Sequence, residues 1–220
     1  MEITAKKLKK KAFTYADYLT WPDDQRCELI DGVVYDMTPA PAPIHQIILG
    51  ELSWQFFNFF RGKPCKVFFA PFDVRFPKNT NPESDANTET VVQPDLVVIC
   101  EPGKIDSRGC LGAPDLVIEI LSPSTSAKDR LTKLNLYEKH GVKEYWIVSS
   151  DAGSVMIFRL KKDQRYGKPE HAYWSETITT PLFPGLTVDL TTVFPTEPEK
   201  TIRESPGKDE APKKKKSKTS

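Results

Sequence analysis

Residues 93–121 constrain this chain more than any other stretch. They read QPDLVVIC, then EPGKIDSRGCLGA, then PDLVIEIL. Two apolar runs each open with Pro-Asp, and Val, Ile and Leu crowded into runs this short read as buried strands. Pro94 and Pro114 stand just ahead of the runs, where a strand tolerates a missing N–H. The glycine-bearing loop between them is long enough to close a hairpin. Antiparallel pairing sets Asp95, at the start of one run, beside Glu119, near the end of the other. In direct register their Cβ atoms would lie about 5 Å apart. Asp115 and Glu119 also share a face, but four residues along one strand span about 13 Å, too far to hold one ion. An ionised Glu inside LVIEIL is costly unless something compensates it. A hard divalent cation between Asp95 and Glu119 is one compensation. A solvated strand face, or a Lys partner, is the plainer one.

The length of 220 residues suits one domain with tails. A hydrophobic content of 39%, with 12 Phe, 7 Tyr and 4 Trp, supplies a sizeable core. No apolar run approaches the ~20 residues needed to cross a bilayer, and MEITAKKLKKKAF lacks the apolar stretch of a signal peptide. No membrane association is expected. Cys27, Cys65, Cys100 and Cys110 form no CxxC pair and read as reduced thiols of a cytoplasmic protein. The net charge of +1 conceals a basic start, a basic end and an acidic body: residues 12–195 carry 18 basic against 24 acidic side chains. That balance argues against a protein that coats DNA with a broadly basic face.

In chain order, residues 1–11 read as a basic N-terminal tail, 12–195 as the folded domain and 196–220 as a disordered, Lys-rich tail. TYADYLTW suggests a short helix with Tyr15, Tyr18 and Leu19 inward. Asp31-Gly32 predicts a type I′ hairpin turn inside CELIDGVVYDM. Glu28 precedes that turn, where pattern alone makes it a surface strand residue. Ile48, Leu52 and Phe56 mark a helix from His45 to Phe60, with His45 as a cap or surface residue. KVFFAPFDVRF reads as a strand pair or an interrupted strand with Asp73 and Arg75 on one face. Residues 77–90 read as an exposed loop. Ser126 and Asp129 suggest a helix cap, followed by a helix with Leu131, Leu134 and Tyr137 inward and Gly141 as its stop. With EYWIVS this makes a βαβ unit over 114–149. The hairpin carrying EYWIV also offers a face for self-association, so a homodimer is the expected assembly.

GAPDLVIEILSPST, Asp129, Lys133 with Tyr137, GVKEYWIV, QPDLVVI, CELIDG, PFDVRF and the PAPIHQ helix start together resemble the Uma-two family of endonucleases. That family lies in the PD-(D/E)XK, restriction-endonuclease-like superfamily. The resemblance runs from about Phe13 to Phe194. It implies an α/β (α+β) fold with a central mixed β-sheet flanked by helices. It implies a metal-dependent endonuclease acting on DNA, with RNA left open, and Mg²⁺ or Mn²⁺ as cofactor. The family's two acidic motif positions fall on Asp95 and Glu119, which would be the metal ligands, and an additional acidic position on Glu28. Two residues after Glu119 the motif calls for Lys, and Leu121 stands there. Members can supply the Lys from the next helix, and Lys133 is the candidate, with Lys128 second. The alternative is a catalytically inactive nucleic-acid-binding or assembly module that retains the fold, since a fold does not carry an activity with it.

Overall fold

A computed structural model describes residues 12–22, 26–37, 41–78, 86, 88–121 and 127–194, with the backbone alone for 127–129. The expected tails at 1–11 and 196–220, the cap from Ser126 and Asp129, and the Lys128 side chain lie outside the described residues.

Helix α1 (Tyr15–Tyr18) is closed by a capping box between Thr14 and Asp17. Tyr15 is buried, but Leu19 is exposed, because it sits past the single turn and has left the inward face. Strands β1 (Cys27–Ile30) and β2 (Val33–Asp36) form the expected hairpin. Asp31 and Gly32 at its turn have φ of 47° and 76°, both positive as a type I′ turn requires. Helix α2 (Pro43–Phe60) begins two residues before His45, because Pro43 occupies the first turn, whose N–H groups have no helical acceptor. Ile48, Leu52 and Phe56 are fully buried along it.

The segment KVFFAPFDVRF divides between two sheets, as β3 (Lys66–Phe69) and β4 (Val74–Pro77). The end of the expected 77–90 loop is instead strand β5 (Thr88–Val92). Its polar composition hid it, yet Thr88 and Thr90 are buried and Thr90 Oγ1 accepts from Asp31 N–H. After β6 (Leu96–Ile99), the loop of the long hairpin forms two short strands, β7 (Ile105–Asp106) and β8 (Gly109–Leu111). They pair with each other, and β8 joins β4. Strand β9 (Leu116–Leu121), helix α3 (Ala127–His140) and strand β10 (Glu144–Ser149) make the expected parallel βαβ unit. Strands β11 (Ser154–Arg159) and β12 (Glu170–Tyr173) extend the sheet antiparallel. A small pair, β13 (Thr177–Thr179) and β14 (Thr187–Asp189), and helix α4 (Leu190–Val193) complete the described chain.

Two six-stranded mixed sheets result, not one: β2-β1-β5-β4-β8-β7 and β12-β11-β10-β9-β6-β3. Alternation along the second sheet divides its side chains between two cores. Leu96, Val98, Leu116, Ile118, Ile120 and Trp146 pack with α2. Val97, Ile99, Val117, Tyr145 and Ile147 pack with α3 and with Val74, Phe76 and Val92 of the first sheet. The central sheet is therefore flanked by α2 on one face and by α3 with the first sheet on the other.

Along α3, Tyr137 is buried and Leu134 packs against the core as expected, joined by Leu136; Leu131, near the start of the helix, is instead exposed. In the hairpin expected to self-associate, the EYWIV strand β10 is bonded on both edges and buried, while its partner β11 is only partly buried.

Candidate functional site

The site is built at the end of the β6–β9 pair. Leu96 lies opposite Ile118 and Val97 opposite Val117. Continued by one residue, this register sets Asp95 opposite Glu119, as the hairpin argument required. Asp95 is pinned through one oxygen: Ile120 N–H donates to Oδ2 at 2.7 Å, and His45 Nε2 stands 3.2 Å from the same atom. Asp115 of the second Pro-Asp plays a different part. It accepts from Cys100 N–H at 2.7 Å and from Lys143 Nζ at 2.6 Å, and so ties together the far ends of the strands.

Glu119 shares its strand face with Val117 and points towards α3. Lys133 and Tyr137 are four residues apart and therefore neighbours on one helix face. Both donate to Glu119 Oε1, from Nζ at 2.8 Å and from the phenol at 2.6 Å. Lys133 Nζ also donates to Glu28 Oε1 at 2.9 Å, an atom that accepts the Gln93 N–H as well. The plainer alternative for Glu119, a Lys partner, thus holds in its geometry. Glu28 is no surface residue: it is buried on β1, because β5 and α3 cover that face of the hairpin. All four sequence-derived residues, Glu28, Asp95, Glu119 and Lys133, meet in one place.

Two carboxylates, Glu28 and Glu119, share the Lys133 ammonium, Asp95 is paired with His45, and the titrations follow from that arrangement. Burial, opposed by the Lys133 charge and reinforced by Asp95 and Glu28, pushes the Glu119 carboxyl up to about 7. Burial disfavours the Lys133 ammonium, but two carboxylates against it outweigh that and raise its pKa. Tyr137, buried against Glu119, is held neutral well above its ordinary value.

Sequence reasoning missed two participants. His45 is buried in the first turn of α2, not capping it from the surface. Burial works against its protonation, but the hydrogen bond and charge of Asp95 prevail and raise its pKa. Only the proximity of α2 to Asp95, which no local pattern reports, could have identified it. Tyr137 was legible only as a core residue.

The donor set fits a hard divalent cation of the kind that takes few protein ligands. No described residue hydrogen-bonds to Asp95 Oδ1 or Glu119 Oε2, so each facing carboxylate retains one available oxygen. Among the described residues, no group of three or more His, Cys, Asp or Glu is gathered as for a metal ion. Mg²⁺ commonly binds through only one or two carboxylates, with water and phosphate oxygens filling the rest.

The thiols require a correction. Cys65 and Cys100 form a disulfide, and Cys27 and Cys110 are free and buried. Lys66 pairs with Ile99 across β3 and β6, so the next positions outward, 65 and 100, face each other. A pairing between strands this far apart in sequence leaves no local trace. No helix among the described residues is long and apolar enough to cross a membrane.

Comparison with known proteins agrees with this architecture. The chain is 31% identical over 150 residues to the uncharacterized protein slr1290 of Synechocystis sp., which covers 67% of this chain and 74% of that protein. A crystal structure from Anabaena variabilis, described as "a putative nuclease belonging to DUF820", superposes with a TM-score of 0.63 at 20% identity. It covers 83% of this chain and 97% of that one, and it shows that the fold is shared. The model of the family Uma2, described as "Putative restriction endonuclease", matches residues 15–192. With a match over nearly the whole described chain, and with Asp95, Glu119 and Lys133 converging where the sequence resemblance required, the protein belongs to the Uma2 family.

Proposed function

We propose that this protein is a metal-dependent endonuclease that hydrolyses phosphodiester bonds of DNA. The observation that carries the reading is the convergence of Glu28 and Glu119 on the ammonium of Lys133, with Asp95 set beside Glu119 at the end of two paired strands. Asp95 Oδ1 and Glu119 Oε2 would hold Mg²⁺ or Mn²⁺. The bound ion would polarise the phosphodiester and lower the pKa of the attacking water.

The chain's own groups have separable tasks. Ile120 N–H and His45 hold Asp95 by one oxygen and so present the other. Tyr137 fixes the Glu119 carboxylate from the helix side. Lys133 offers a fixed positive charge and N–H donors to an attacking water or a phosphate oxygen. It takes the position that Leu121 leaves empty, reaching Glu119 from α3 and not from β9. Leu121 and the acidic body favour the rival reading, an inactive binding or assembly module; the 2.8 Å contact of Lys133 with Glu119 supports the nuclease reading.

The test is cleavage of plasmid and single-stranded DNA with Mg²⁺ or Mn²⁺ by wild type, Asp95→Ala and Glu119→Ala, with Mn²⁺ binding followed by calorimetry. Wild-type cleavage and Mn²⁺ binding, both lost in each variant, are expected. Full metal-dependent activity in Asp95→Ala would sink the assignment. Absence of both cleavage and Mn²⁺ binding in the wild type would leave the inactive module.

A further inference from the structure

A cleft of about 530 Å³ opens directly onto Asp95 and His45. Its polar lining comes from Arg26, Gln46 and Ser53, and its apolar wall includes Phe69. Phe69 is 47% exposed although it is an aromatic side chain on a strand. Its ring meets that of Phe57, also exposed, edge to face at 6.1 Å. Gly50 of α2 lines the same cleft. A Cβ added there would meet nothing within 4 Å, and its backbone is not left-handed. Neither packing nor backbone geometry therefore demands glycine, although a glycine inside a helix is unfavourable relative to alanine. What its missing side chain does is leave the floor of the cleft bare.

We infer that this cleft receives an unpaired, unstacked base of a single-stranded nucleic acid whose backbone runs past Asp95. The inference rests on the phosphodiesterase reading above and adds the substrate class. Gly50 and Phe69 both line the cleft, so a flat heteroaromatic ring has a bare stretch of helix and an exposed phenyl ring to lie against. Gln46 and Ser53 supply both donors and acceptors for base edges. A base held within a duplex cannot enter such a recess; one out of the stack can. The charge balance points the same way. The folded body is net acidic, and among the described residues the cleft lining holds no Lys and one Arg, Arg26, with His45 already paired to Asp95. Attraction for phosphates alone is therefore weak, and stacking on aromatic side chains is the other main source of affinity for single strands.

The test measures fluorescence anisotropy of a short labelled single-stranded oligodeoxynucleotide and of its blunt duplex, with the full chain and EDTA present. The single strand is expected to bind the tighter of the two. Phe69→Ala, and Gly50→Leu, which fills the floor, are each expected to weaken single-strand binding about tenfold. Gly50→Leu should do so while the melting temperature holds or rises, so a loss of binding there is not a loss of fold. Duplex binding as tight as single-strand binding, or single-strand binding that both variants leave intact, overturns the inference. Parallel cleavage assays separate the two readings. Glu119-dependent cleavage of duplex at wild-type rate by both variants removes the cleft proposal and keeps the nuclease. Binding that depends on Gly50 and Phe69, with no DNA cut under either metal, keeps the cleft and removes the nuclease.

Discussion

Two glutamates are buried on adjacent strands of the central sheet, and they are treated in opposite ways. Glu144, at the start of β10, is 1% exposed and fully satisfied. Trp146 Nε1 donates to one oxygen at 2.7 Å, and Thr180 Oγ1 at 2.6 Å and Arg159 Nε at 3.2 Å donate to the other. Glu119, on β9, is 9% exposed, has one oxygen with two donors and, among the described residues, none on the other, and shares its ammonium with Glu28. A carboxylate with both oxygens answered by its own fold is an internal joint. One left short of positive charge beside a second carboxylate is an invitation to something from outside. Burial alone does not tell the two apart; the donor count does.

The contrast can be broken by substitution. Glu144→Ala leaves the buried Trp146 N–H and Thr180 hydroxyl without their acceptor, while Arg159 keeps Glu170, and should cost about 3 kcal/mol, measured by urea unfolding. A loss below 1 kcal/mol would mean that water replaces the carboxylate and that the joint is not one. Lys133→Met removes the shared ammonium from carboxylates that remain buried. It should cost about 3 kcal/mol, with the loss largely recovered when Glu119→Gln is added, because the variants share a partner.

Glu119→Gln alone should act in the other direction. Burial beside Asp95 and Glu28 pushes the Glu119 carboxyl up to about 7 from its ordinary 4.5. The folded state therefore binds more protons than the unfolded one between those values, and stability falls as pH rises through that window. The substitution should gain about 2 kcal/mol near pH 8 in metal-free protein and close to nothing near pH 5. A gain that does not change with pH would show that the surplus charge is not its source.

His140 sets the background slope that those measurements must subtract. It is stacked on Phe76 at 4.4 Å, with Nε2 buried and unpartnered, and burial, aided by Lys139, holds its pKa down at about 4. Its contribution is complete above the ordinary value of 6.5 and is lost as pH falls towards 4. His140→Phe should flatten acid unfolding by about 1 kcal/mol, followed as melting temperature against pH.

The hairpin at the centre of the site was legible because its physics is local. Two Pro-Asp runs separated by one glycine-bearing loop can pair in few ways, and the pairing fixes Asp95 against Glu119. Lys133 was reached through family resemblance, since a lone Lys on α3 carries no periodic signal of its own. His45, the disulfide partners and strand β5 were not legible. Each depends on which distant element lies alongside: α2 beside Asp95, β3 beside β6, β1 and β4 around Thr88 and Thr90. Polar strands and lone histidines carry no periodic signal by which a reader could find them.

The order in which the chain visits its sheets has a consequence for how the molecule comes apart. It enters the first sheet with β1 and β2, crosses to the second for β3 and returns for β4 and β5. It crosses again for β6, returns for β7 and β8, and only then stays in the second from β9 to β12. Neither sheet is a continuous piece of sequence, so no single cut releases one whole. A protease nick or a terminal truncation inside this weave removes strands from both layers together. Loss of structure is therefore expected as one all-or-none transition without a surviving half. Folding should be slow for the molecule's size, because most of its pairings must close long stretches of chain before they gain anything.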